Sequence, residues 1–187
     1  TVTAPATLVA TCPAPVIIDD CTSQADIDAA FAAWLAGFSY TGGCSSATAT
    51  DLSGFVAPDS CAGGTVTIVY TVTDVYCNQS TSCTSTFTVP AVETLTVTCP
   101  SDITLDACMS QAAIDAAFAG WLSGFSYAGG CATASATDLG QFSAPDSCGG
   151  TTTITYVATD EYCGQSASCT ASFTVTVPAT LVATCPA

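Results

Sequence analysis

The sequence predicts a mainly β protein, built as tandem repeats of a small disulfide-stapled unit that carries one short helix. Three observations carry that prediction. The chain repeats itself, its thirteen cysteines divide into two sets of six plus one, and its longest uninterrupted runs alternate hydroxyl with apolar residues.

The repetition is visible at the ends. TLVATCPA at Thr7–Ala14 returns at Thr180–Ala187. CTSQADIDAAFAAWLAGFSYTGGC (Cys21–Cys44) recurs as CMSQAAIDAAFAGWLSGFSYAGGC (Cys108–Cys131), and APDSC at 57–61 recurs at 144–148 with Ala62 lost from the segment that follows. Cys12, Cys21, Cys44, Cys61, Cys77 and Cys83 thereby map onto Cys99, Cys108, Cys131, Cys148, Cys163 and Cys169. Cys185 then opens a third copy. On this phase, residues 1–11 end a preceding repeat or joint, 12–98 form repeat 1, 99–184 form repeat 2, and 185–187 begin the next. Two repeats fit a chain of 187 residues.

Within a unit, TLVATCP (Thr7–Pro13) and APVIID (Ala14–Asp19) read as short strands, rich in Thr, Val and Ile and punctuated by proline. The period then changes: Ile27, Phe31 and Trp34, with Leu35 and Phe38 beyond them, fall at helical spacing. Ser23 is placed to cap that helix, Asp26 and Asp28 to complement its dipole, and Gly37 to end it. Ser110, Ile114, Asp115, Phe118, Trp121 and Gly124 repeat the pattern. Both helices predict an apolar face that packs on a sheet. Gly42-Gly43 turns the chain, Thr65–Tyr76 alternates as a long strand, and Ser80–Val89 closes the unit. Pro5, Pro90 and Pro178 mark joints too short to act as flexible linkers.

Composition removes several functions. There is no Lys, Arg or His against fifteen acidic residues, a net charge of −15. Nothing neutralises a phosphate, so nucleic acid is excluded as a partner, and an anionic lipid surface fails for the same reason. With 49% apolar and 8% charged residues the chain is too hydrophobic for a disordered polyanion. No run of 18 apolar residues occurs, so no membrane insertion by this segment is expected. Trypsin-like proteases find no cleavage site, and lysine isopeptide cross-links are ruled out.

Cysteines without CxxC pairs or histidines point to disulfides and an oxidising, extracellular setting. A unit under 90 residues has a modest core, and three bridges of about 2–4 kcal/mol each compensate. Six cysteines allow 15 connectivities. The pairing favoured here joins Cys21–Cys44 across the helix-bearing loop, Cys61–Cys77 across the long strand and Cys12–Cys83 between first and last strands. The second copy follows as Cys108–Cys131, Cys148–Cys163 and Cys99–Cys169.

TCPSDITLDAC, followed by GGTTTITYVATDEYCGQSASCTASFTVTV, resembles the hyalin-repeat (HYR) pattern: an opening Cys-Pro, a Gly-Thr-Thr strand ending Tyr-x-Ala-x-Asp, and a closing Ser-Cys-Thr strand. The extra helix AAIDAAFAGWL with its flanking cysteines is similar to HYR-like repeats of giant flavobacterial surface adhesins. The resemblance covers nearly the whole chain. It implies tandem immunoglobulin-like (Ig-like) β-sandwiches in an extracellular filament or adhesin at the cell surface, exported by the type IX route and associated with gliding motility. The helix and the added cysteines depart from the ordinary HYR pattern.

Candidate sites are few. Without His or Lys, acid–base chemistry falls to carboxylates, and Asp51, Asp59 and Asp74 (copied as Asp138, Asp146 and Asp160) form the one plausible set. The same residues are the Ca²⁺ candidates, but no EF-hand-type loop accompanies them, and turn capping is the simpler role. Neither catalytic nor cofactor-binding residues are expected. Trp34, Tyr40, Tyr70 and Tyr76 are the residues able to stack on a sugar, with core packing the default reading. Asn78-Gln79-Ser80 matches a glycosylation acceptor, although the second copy has Gly164 there. The expected function is a protease-resistant stalk segment whose partners are neighbouring repeats, surface polysaccharide or other filaments; the alternative is a glycan-binding repeat.

Overall fold

A computed structural model describes residues 6–185. The chain is mainly β and divides into two compact units between Val92 and Glu93. Unit 1 runs β1 (Val9–Thr11), β2 (Val16–Ile17), α1 (Gln24–Leu35), β3 (Ser39–Thr41), β4 (Thr48–Ala49), β5 (Gly64–Asp74) and β6 (Gln79–Val89). Unit 2 repeats it as β7 (Thr96–Thr98), β8 (Ile103–Leu105), α2 (Gln111–Leu122), β9 (Ser126–Ala128), β10 (Ser135–Ala136), β11 (Gly150–Asp160) and β12 (Gln165–Val175), with one added 3-10 turn at Leu139–Gln141.

Each unit is organised on a long hairpin. β5 and β6 pair antiparallel over their full lengths, from Gly64 opposite Val89 to Asp74 opposite Gln79. β4 extends the sheet antiparallel to β5, and β2 lies parallel to β6 on the other edge, giving the order β2-β6-β5-β4. β8-β12-β11-β10 is the equivalent sheet of unit 2. A second, two-stranded sheet joins β1 to β3, and β7 to β9.

The alternation in the sequence sorts the two hairpin faces. Ile68, Tyr70, Val72, Phe87 and Val89 are buried on one side. The other side carries hydroxyls that hydrogen-bond across the strands, Thr65 to Thr88 at 3.0 Å in unit 1. In unit 2, Thr151–Thr174, Thr153–Ser172 and Thr155–Thr170 do the same at 3.0–3.1 Å.

α1 packs on the apolar face. Ile27, Phe31 and Trp34 are buried, as are Ile114, Phe118 and Trp121 of α2. Phe31 meets Phe87 edge-on with centroids 5.1 Å apart, and Phe118 meets Phe173 likewise at 5.2 Å. Ser23 caps α1 by accepting the Asp26 amide, and Ser110 caps α2 by accepting that of Ala113. Gly37 and Gly124 follow the helices; a Cβ on either would come within 2.8 Å of Pro13 or Pro100. The buried indole of Trp34 donates to the Ser85 hydroxyl at 3.2 Å. Unit 2 has Ala171 in place of that serine, and Trp121 donates instead to the Ser101 carbonyl at 3.0 Å.

The cysteine phase therefore needs a correction at its edges. Residues 8–11 complete repeat 1 rather than closing a preceding one: β1 pairs with β3, and the Leu8 amide donates to Gln79 at 2.8 Å. By the same pairing, β7 and the Leu95 amide, which donates to Gln165, belong to unit 2, so residues 93–98 leave repeat 1. The opening leucine is the reason: its side chain lies against Gly43 or Gly130 of the unit that follows it. The parts of the expected end segments at 1–5 and 186–187 lie outside the described residues.

Candidate functional site

The distinctive chemistry of each unit is its sulfur and the aspartates that position it. Cys12–Cys83 and Cys99–Cys169 are disulfides as expected, each with Cα atoms 5.9 Å apart. They tie the residue after β1 or β7 to the middle of β6 or β12, so the entering strand is bonded to the exiting one.

The remaining pairings differ from expectation. Cys44 is bonded to Cys77, which excludes both Cys21–Cys44 and Cys61–Cys77. Cys21 and Cys61 are disulfide-bonded too, and with the other four cysteines of the unit paired they complete each other. In unit 2, Cys108 and Cys148 are free thiols, so neither Cys108–Cys131 nor Cys148–Cys163 is present. Cys131 and Cys163 are disulfide-bonded and lie together beside Asp160.

Asp74 explains the exchange of partners. It ends β5 on the buried face, and one carboxylate oxygen accepts the Cys44 amide from across the unit. The other accepts the Ser46 hydroxyl at 3.1 Å and the hairpin amides of Tyr76 and Cys77 at 3.1 and 3.3 Å. One carboxylate thus draws the segment leaving Gly42-Gly43 to the hairpin tip, where Cys77 waits. The Cys44 amide first, with Cys77, Ser46 and Tyr76 behind it, holds the Asp74 carboxyl below its ordinary pKa, against the opposing effect of desolvation. Asp160 repeats the geometry, accepting the Cys131 and Tyr162 amides at 3.0 Å each.

The other expected site residues are turn-formers. Asp51 accepts the Ser53 amide at 2.9 Å, and Asp138 that of Gly140. Asp59 accepts Cys61 and Ala62 at 2.8 and 2.7 Å, and Asp146 accepts Cys148 at 2.7 Å. These backbone amides hold Asp51 and Asp59 below the ordinary carboxylate range. Each aspartate serves a different turn, and no three of them converge among the described residues. The groupings with metal-ligand spacing there are Cys44/Asp74/Cys77 and Cys131/Asp160/Cys163, whose sulfurs are already in disulfides and so are not thiolate ligands.

Of the aromatic candidates, Trp34 and Tyr70 are core residues, and burial raises the Tyr70 phenol. Tyr40 is partly exposed and donates to the Ala47 carbonyl at 3.2 Å. Tyr76 stands exposed at the hairpin tip. Asn78 occupies the left-handed region at φ 48°, and Gly164 does so at 63°. A turn requirement therefore accounts for the Asn/Gly exchange between copies.

No helix among the described residues is long and apolar enough to cross a membrane. No protein-family model matches the chain, and no curated protein matches it in sequence.

Proposed function

We propose that the chain is a segment of an extracellular, disulfide-stapled stalk at the cell surface, a series of units whose task is to hold length under tension. The observation that carries this reading is the repeated bond between entering and exiting strands, Cys12–Cys83 and Cys99–Cys169. Tension applied through the chain reaches the exit strand by way of one covalent link, and the intervening residues are relieved of it. The HYR-like resemblance points the same way, and the two-sheet units are compatible with an Ig-like sandwich. Adhesion, gliding motility and type IX export follow from the resemblance alone.

The repeated strand supports an array. Leu8 and Leu95 are only 5% and 4% exposed, each covered by its own unit.

The competing function is glycan binding, for which the exposed Tyr76 is the best stacking residue. A glycan array probed with the two-unit chain separates them. The stalk reading expects no saturable signal. Binding lost on Tyr76→Ala would replace it with the glycan-binding module.

A further inference from the structure

We infer that Cys108 and Cys148 are a redox-active pair, which closes by thiol–disulfide exchange into the third staple of unit 2. Both thiols are free and exposed. Their counterparts Cys21 and Cys61 are bonded, and both copies build the same frame around the pair.

The frame is a glutamine clamp. Gln24 opens α1; its side chain donates to the Pro58 carbonyl at 3.1 Å and accepts the Ser60 amide at 2.8 Å. Gln111 opens α2 and holds Pro145 and Ser147 at 3.1 and 2.9 Å. Cys21 and Cys108 lie three residues before the clamp, and Cys61 and Cys148 directly follow the clamped serine. The clamp therefore brings the loop of one cysteine to the helix start beside the other.

Backbone conformation agrees. Cys21 and Cys108 both take the left-handed region, at φ 58° and 71°, which a side-chain-bearing residue adopts only where its surroundings impose it. Asp59 and Asp146 fix the partner cysteines through their amides. The copies differ by Ala62, absent from unit 2, so the turn after Cys148 is one residue shorter. The preceding Pro-Asp-Ser-Cys segment and its clamp are retained.

In the closing step, the thiolate of one cysteine attacks a small-molecule disulfide. It forms a mixed disulfide and releases one small thiol. The second cysteine's thiolate displaces the other half. The S–S bond forms between Cys108 and Cys148, and the two electrons they lose leave on the two small thiols.

The test uses the whole chain with oxidised glutathione as the disulfide, followed by alkylation, peptic digestion without reductant and mass spectrometry. The expected product is a Cys108–Cys148 linked peptide, while Cys185 remains alkylated or glutathione-bound. In Cys108→Ser, Cys148 should instead retain a stable glutathione adduct. The inference is overturned if Cys108 and Cys148 in the wild-type chain stay separately alkylated, carry glutathione singly, or link to Cys185.

Discussion

Breaking the strand-to-strand bond of unit 1 alone should lengthen the chain by a calculable amount. Cys12 and Cys83 are 71 positions apart but their Cα atoms only 5.9 Å. At about 3.5 Å per extended residue, the bridge withholds ~250 Å of contour. In Cys12→Ser/Cys83→Ser, the remaining bonds still shorten the path. Nine positions lead from Cys12 to Cys21, and after the Cys21–Cys61 link twenty-two more lead to Cys83. That is ~110 Å of extended chain. Single-molecule stretching of the tethered chain should therefore give three distinct unit 1 lengths. The unreduced wild type releases only residues outside the bridge, the double variant adds about 110 Å, and full reduction adds about 250 Å. Unit 2, with Cys99–Cys169 intact, is the internal reference for the two unreduced chains, and under full reduction it adds ~245 Å of its own. Equal unfolding lengths in wild type and double variant would refute the reasoning.

Other perturbations address the parts around that bond. Phe31→Ala removes a ring buried against Phe87 and should cost about 3–5 kcal/mol in urea unfolding of unit 1. Asn78→Gly should leave stability within about 0.5 kcal/mol, while Asn78→Val forces a β-branched residue to positive φ and should lose about 1–2 kcal/mol. Asp74 has its folded pKa below the ordinary 3.8, so its contribution is full above that value and declines as pH falls from there through the lower folded pKa. Acid titration of unfolding should show this loss, and Asp74→Asn should be less stable at neutral pH with a flatter acid limb.

The sequence was most informative where chemistry is periodic. Alternating Thr and Val/Ile runs revealed the long hairpin, and Ile27, Phe31 and Trp34 revealed the helix and the side on which it packs. Cys12–Cys83 was legible because Cys12 directly follows the first strand and Cys83 lies within the last. The other pairings were not, since they depend on where chain segments cross. Cys44 follows the helix closely in sequence, which favoured a local bond to Cys21. Gly42-Gly43 instead turns it toward the β5–β6 tip, where the Asp74 carboxylate takes its amide. The repeated Asp-x-x-Cys spacing at the tip was the available signal, although read alone it indicates only a turn. β3 and β4, of three and two residues, are too short to show a period. The reach of β1 into the unit that follows it was hidden because the cysteine count sets repeat length but not phase.

Peptide mapping of the whole chain, alkylated before any reductant is added, bears most directly on the proposed stalk function. Peptides joining Cys12 to Cys83 and Cys99 to Cys169 are the predicted result. Recovery of those four cysteines as alkylated thiols, or of Cys12 and Cys99 bonded elsewhere, would contradict it.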